Sequence, residues 1–469
     1  MRAVWLTTIG GIDWPHSYAS SPATIAKQKE ELTDILNKLQ QANINTVLIQ
    51  TRVRGTTIFP SAMEPWDGCL SGKPGTSPGY DALQFAVDEC HRRGMQCHAW
   101  IVTIPVGKWN AMGCKKLRER YPKQIVKVGD EGYMNPEMPQ TGDYLARFCS
   151  EVTRQYDIDG IHLDYIRYPE TWKLKVSRQQ GRQYITDIVR KIHTAVKAEK
   201  PWVMVSCSPI GKYDDLTRYK SNGWNANTIV CQDAQGWLRD NLMDALFPMM
   251  YFQGNHFFPF AVNWKEYSYG RIVAPGLAAY MLHPKERNWE LDVIKRKMHV
   301  LREQGLGYTF FRSKFFTDNT KGLYDFTKDF NVVQALIPPM IWAGKQAPRA
   351  ATSLDVQRGM TFDKLSWSQG TDRSGGDYLL YNVYASTSYP VNTNDASNLL
   401  ASRLRSRSLT IPHKGQTLHY AVTVVDRFGN ESAPVNSLNT MNTKARKIDF
   451  RQLIIGNSPK RYKKTRNRN

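Results

Sequence analysis

From Ala3 to about Phe330, short apolar runs alternate with longer amphipathic stretches. The runs Ala3–Thr8, Thr46–Val53, Gln96–Val102, Gly160–Tyr165, Val203–Pro209, Ala245–Tyr251, Ile272–Tyr280 and Gly307–Phe311 read as eight strands. The stretches between them carry a helical period. Ser21-Pro22 is a cap followed by proline in the first turn, and Ile25, Leu32, Ile35, Leu36 and Leu39 then share one face. Ile185, Ile188, Val189, Ile192 and Val196 repeat the pattern in a second long helix. Gly94 after His91-Arg92-Arg93 is a helix stop with cations near the negative dipole end, and Asn288 is a cap before Trp289–Gln304. Eight strand–helix alternations with right-handed crossovers predict an α/β fold, a TIM (β/α)8 barrel over residues 1–338. No Gly-x-Gly-x-x-Gly follows the first strand, which removes the dinucleotide-binding version of an open sheet.

The chain turns on Asp157–Pro169. There Ile161 and Leu163 point to one side of a strand while His162 and Asp164 point to the other. A strand ending in a carboxylate needs a wet pocket or a partner, and a barrel does its chemistry at the carboxyl ends of its strands. A structural aspartate capping the next loop is the plain alternative.

Beyond Pro338-Pro339 and Ala347-Pro348 the helical period stops. Phe362–Trp367, Tyr378–Ala385, Ser408–Ile411 and Leu418–Asp426 read as short strands of a C-terminal β-sandwich over residues 346–440, anchored by Trp367, Tyr381 and Tyr420. The stretch from Tyr420 to Ser432 resembles the penultimate strand and following turn of a fibronectin type III domain. That resemblance makes Trp367 the core tryptophan and Tyr420 the tyrosine-corner residue, and it implies a spacer or binding module without catalysis.

Composition narrows the class. The chain has 469 residues, 41% hydrophobic and 11% aromatic, enough for a large core. No apolar run approaches the roughly 18 to 20 residues of a membrane span, and Met1 opens a core strand instead of a leader. The formal net charge is +21. Much of the excess sits in a basic tail, residues 441–469, where Lys444–Asn469 holds ten Lys or Arg against one Asp. Such a balance suits an anionic polymer. No nucleic-acid partner is expected, because no recognition-helix or RNA-platform motif accompanies the charge. The seven cysteines, odd in number and without Cys-x-x-Cys spacing, read as small buried hydrophobes.

Polar and aromatic residues near the strand ends are Trp5, Gln50, Arg52, His98, Trp100, His162, Asp164, Ser208, Tyr251 and Arg312. The loop after the second strand adds Glu64 and Trp66, the strand-four motif adds Arg167, and the run before the sixth strand adds Asp233 and Trp237. Tryptophan and tyrosine beside carboxylates suit a sugar, because rings give an apolar platform with polar tips. Glycoside hydrolysis needs a carboxylic acid and a second carboxylate. Asp164 is the first; Glu64, Asp233 and Glu170 compete for the second. No metal and no cofactor is expected: His98 and His162 stand on different strands with no completing ligand set. Ser206-Cys-Ser208-Pro lacks the Gly-x-Ser-x-Gly elbow of a serine nucleophile.

Six segments carry a wider resemblance: Arg2–Thr7, Phe59–Trp66, Arg93–Trp100, Asp159–Pro169, Gln232–Trp237 and Pro248–Tyr251. In this order they are similar to glycosyl-hydrolase-like family ten, a bacterial envelope family that includes enzymes cleaving peptidoglycan glycan strands. The resemblance implies a glycoside hydrolase acting on amino-sugar glycans, with peptidoglycan foremost, and a cell-envelope or periplasmic location, as a lipoprotein or otherwise. The residues by themselves leave the cytoplasm open. Strand four also resembles, more distantly, the chitinase signature Asp-Gly-x-Asp-x-Asp-x-Glu. His162 replaces its middle aspartate and Ile166 its acid, and Phe252 replaces the aspartate of the chitinase Met-x-Tyr-Asp. Asp164 is therefore the expected central carboxylate, acting as acid or orienting a substrate acetamido group, with His162 and Tyr251 beside it. The partner is a polysaccharide. The alternative is a non-catalytic envelope protein that keeps the carbohydrate cleft.

Overall fold

The computed structural model describes residues 1–219, 221, 223–412 and 417–438. The basic tail at 441–469 lies outside them. Two compact units divide the chain, Met1–Ala343 and Gly344–Asn469.

The first unit is built on one parallel sheet. Its strands are β1 Arg2–Leu6, β2 Thr46–Val53, β3 Gln96–Val102, β4 Gly160–Asp164, β5 Met204–Cys207, β6 Ala245–Leu246, β7 Ile272–Val273, β8 Gly276–Ala278 and β9 Tyr308–Phe311. They pair in the order β7-β6-β5-β4-β3-β2-β1-β9-β8. β7 and β8 belong to one extended run. On one side Ala274 and Gly276 donate to Leu246 and Pro248; on the other, Gly307 and Thr309 donate to Val273 and Pro275. Hydrogen bonds on both sides of this run give the sheet a TIM-barrel-like course. The eight expected strands thus appear as nine parallel ones, because the seventh changes partner around Pro275, which has no N–H to offer, and the short strand Thr56–Thr57 adds an antiparallel tenth against β2.

Other expected ends shift for local reasons. Ala245–Tyr251 shrinks to Ala245–Leu246 because Pro248 cannot donate to the ladder. Ala3–Thr8 stops at Leu6, since Thr7 N–H turns to Asp13 Oδ2 and Thr8 N–H to Gln50 Oε1. Helix Pro22–Gln41 opens on the expected Ser21, which forms a reciprocal capping box with Thr24. Helix Ala82–Arg92 ends before Gly94 at φ +71°. The expected Asn288 cap is corrected: Asn288 takes a left-handed φ of 51°, and helix Leu291–Glu303 begins after Glu290, two residues later.

Alternation along the strands fills the interior. His98, Trp100 and Val102 of β3 stand in register with Gly160, His162 and Asp164 of β4. Gly160 must be glycine, because a Cβ there would lie 2.5 Å from His98 Nδ1. Trp5 packs against His162, Phe247 and Phe311 at ring separations of 5.9, 6.2 and 5.9 Å. All seven cysteines are buried and unlinked. Among the described residues no helix is long and apolar enough to cross a membrane.

In the second unit, Leu354–Arg358, Phe362–Trp367 and Ser408–Pro412 form one antiparallel sheet. Leu399–Leu404, Leu380–Ser386, His419–Val425 and Val435–Asn436 form another. Leu365, Trp367 and Ile411 of the first share a core with Tyr381, Val383, Tyr420 and Val422 of the second. The Tyr420 hydroxyl donates to the Asp363 carboxylate at 2.7 Å, where a tyrosine corner would use backbone.

Candidate active site

Asp164 closes β4 and is 8% exposed, low but not sealed. Each carboxylate oxygen has an assigned donor. Ser208 Oγ and the Tyr165 N–H reach Oδ1, both at 2.8 Å, and Trp100 Nε1 reaches Oδ2 at 3.1 Å. Thr103 holds the Asp164 carbonyl from its own N–H and hydroxyl. Burial pushes the Asp164 pKa up, against the opposing pull of Ser208, Arg167, Trp100 and the Tyr165 N–H. Tyr165 takes a φ of 53°, uncommon for a bulky residue, and this turn brings its N–H back onto the carboxylate it follows.

His162 lies one layer deeper and is fully buried. Trp5 Nε1, a donor only, gives its proton to His162 Nε2 at 3.1 Å, so the ring proton must sit on Nδ1, facing Ser206 Oγ at 3.0 Å. Burial pushes the His162 pKa well below its ordinary value, with His98 adding to the effect. His162 is thus neutral and has both nitrogens engaged. Buried with both partners inside, it is placed beneath Asp164 as a support.

Two aromatic groups flank the carboxylate. Tyr251 and Tyr280 meet edge to face at 5.8 Å, and Phe311 lies 5.6 Å from Tyr251. Burial, Tyr280 and Asp164 together push the Tyr251 hydroxyl pKa well up, keeping it a proton donor. In the segment that follows Asp164 the Arg167 guanidinium covers the Tyr165 ring at 4.2 Å and donates to Glu170 at 2.7 Å. Trp172 lies 5.7 Å from Tyr168 and 6.5 Å from Tyr133. Burial alone would raise the Glu170 pKa, but the Arg167 hydrogen bond and charge outweigh it and hold the carboxyl below its usual range.

Several expected site residues serve elsewhere. Glu64 and Arg52 form a fully buried ion pair: Arg52 Nη2 and Nε meet the carboxylate at 2.6 and 2.9 Å, and Tyr144 Oη adds a bond at 2.7 Å. Both Glu64 oxygens accept from donors inside the protein, which places this carboxylate in the wall behind the strand ends. Asp233 caps helix Ala234–Arg239 and accepts the Tyr213 hydroxyl at 2.6 Å, so it fills the structural-cap role. Gln50 Oε1 accepts from the N–H groups of Thr8 and Ile9. Trp237 is buried and donates to Thr186 Oγ1 at 2.9 Å, packing a helix instead of lining the site. His98 sits in register with Gly160, four residues or about 13 Å below Asp164. Trp5 is buried beneath the site, and Trp100 touches Asp164 from within. Arg312 follows β9 and is tied to Asp13. Trp66 is half-buried and bridges to Thr57.

Tyr133, Tyr280, Phe311 and Trp172 join this region with no motif in the chain to mark them. Tyr133 lies on a hairpin, Ile125–Val128 with Glu131–Met134, inserted after β3, and no local motif connects it to Asp164.

Residues 1–180 match the family described as Glycosyl hydrolase-like 10. The matched span contains Asp164, Tyr165, Arg167 and Glu170. Two curated relatives are similar over longer stretches. Glycosyl hydrolase YngK of Bacillus subtilis (strain 168) is 26% identical over 492 residues, covering 92% of each chain. Glycosyl hydrolase DigH of Escherichia coli (strain K12) is 29% identical over 286 residues, 54% of this chain and 65% of that one. Among solved structures, alpha-L-fucosidase isoenzyme 2 from Paenibacillus thiaminolyticus is 15% identical with a TM-score of 0.47, covering 70% of this chain and 49% of that one. The family match and the relatives' names support an enzyme of the glycoside hydrolase type.

Proposed function

We propose that the chain hydrolyses glycosidic bonds of amino-sugar glycans, with peptidoglycan glycan strands as the substrate and the cell envelope as the setting. The observation that carries the mechanism is a pair of carboxyl groups around Arg167 whose environments push them apart. Asp164 is driven toward its protonated form, and Glu170 toward its ionised form. Such a split assigns acid and base. Asp164 gives its proton to the leaving glycosidic oxygen as that C–O bond breaks. Glu170, half-exposed at the rim, takes a proton from the water that bonds to the anomeric carbon. The Tyr251 hydroxyl, held protonated, donates to the acetamido carbonyl of the bound sugar, while Trp172 and Tyr133 offer ring faces to the glycan.

On this reading the sheet is a complete (β/α)8 barrel, and the second unit is a fibronectin type III-like spacer. The test is reducing-end release from purified cell-wall glycan, with product masses. Wild-type protein should release reducing ends, and Asp164→Asn and Glu170→Gln should each lose most of that activity. Sugar binding without any release by the wild type would instead establish a carbohydrate-binding protein.

A further inference from the structure

We propose that Lys212 and His256 form an anion-recognising subsite at the same end of the barrel as Asp164, so that the preferred glycan carries a carboxylate. This rests on the reading of the Asp164 region as a glycan site. Lys212 lies four residues beyond Ser208, whose hydroxyl holds Asp164, on the segment that leaves β5. His256 lies on the segment that leaves β6, a few residues after Tyr251 and Phe252. Both therefore sit above carboxyl ends of strands, where a bound glycan would run.

The pair has an unusual electrostatic condition. Lys212 is only 5% exposed, and its hydrogen bond goes to an imidazole instead of a carboxylate. A buried ammonium is costly unless it is paired. Its Nζ meets His256 Nδ1 at 3.0 Å and lies over the rings of Phe260 and Phe252 at 4.7 and 5.6 Å. Asp215 acts on it only through space, and its Oδ1 takes the Ser221 hydroxyl instead. Burial accordingly pulls the Lys212 pKa down, and Asp215 only partly opposes this.

The hydrogen-bond directions point to an anion. An ammonium carries three donors, and one is spent on His256. Because Nδ1 accepts from Lys212, the His256 ring proton belongs on Nε2, a second donor on a side chain exposed to solvent. Two donors from two loops, one of them charged and poorly solvated, match the two oxygens of a carboxylate. Such an anion would restore to Lys212 the counter-charge its own chain withholds. A neutral sugar would leave the ammonium as it stands.

The experiment is calorimetric binding of two probes to the full chain. One is the N-acetylglucosamine–N-acetylmuramic acid disaccharide; the other is the same disaccharide with its carboxylate reduced to the alcohol. Wild type should bind the acid about 10- to 100-fold more tightly, the range expected of a charge-assisted hydrogen bond. Lys212→Met should bind both forms alike, and Lys212→Arg, which keeps the charge, should keep a preference for the acid. Equal binding of the two probes by wild type, or an undiminished preference in Lys212→Met, overturns the anion subsite and leaves the glycan reading standing. Failure of wild type to bind either probe overturns both.

Discussion

Trp100 Nε1 donates to Asp164 Oδ2 across 3.1 Å, so the carboxylate at the end of β4 is aimed by the neighbouring strand β3. Ser208 on the segment after β5 holds the other oxygen. Fixing a carboxylate from both adjacent strands spends donors that a merely structural aspartate at a loop would not need, and it limits the carboxyl group to one orientation.

Asp164→Asn keeps the shape and removes the transferable proton. Turnover of purified glycan should fall about 10²- to 10⁴-fold, the usual worth of a general acid. The thermal midpoint should move little. Intact turnover in this variant would falsify the assignment of Asp164.

Ser208→Ala removes a hydrogen bond that favours the ionised form of Asp164. Its pKa, already raised by burial, should climb further. An acid catalyst works while protonated, so the alkaline limb of the kcat/KM profile should move to higher pH in the variant. A limb that stays put or moves to lower pH would show that Asp164 does not govern it.

Glu64→Gln separates a wall residue from a catalytic one. Removing the charge opposite buried Arg52 leaves an uncompensated guanidinium, costing about 3–5 kcal/mol of stability. Urea unfolding should register that loss, while kcat per folded molecule stays near wild type. A catalytic Glu64 would give the reverse result.

Lys297 is 1% exposed and lies between the rings of Trp289 and Phe257, at 4.6 and 4.7 Å. Burial lowers its pKa to about 7. Unfolded, a lysine stays protonated to about pH 10.4. Between those values the unfolded chain binds the extra proton, so stability should rise as pH rises across the window. Lys297→Met should flatten that slope, as read from urea midpoints at pH 7 and 10.

The repeating period made the sheet readable: β2 and β3 occupy the very spans their apolar runs describe, Thr46–Val53 and Gln96–Val102. Strand-four alternation likewise marked Asp164 as facing inward. What sequence could not carry was the depth of a side chain and the identity of its partner. His98, His162 and Asp164 share one face of the sheet, yet the two imidazoles are sealed while the last residue of β4 keeps 8% exposure. Glu64 looks free in a loop until the fold brings Tyr144, 80 positions away, onto it. Tyr133 and Trp172 arrive from separate insertions. Their approach depends on three-dimensional closure, which leaves no spacing to read.

The Trp5–His162–Ser206 arrangement also fixes how the protein responds to acidity. Imidazole is the side chain that ordinarily switches charge near neutrality, and here it is wedged beneath Asp164, buried and held neutral by its two partners. The layer beneath Asp164 therefore adds no charge of its own as the medium turns mildly acidic. In a mildly acidic medium the response of the site falls to its carboxyl groups, above an imidazole that stays electrically silent.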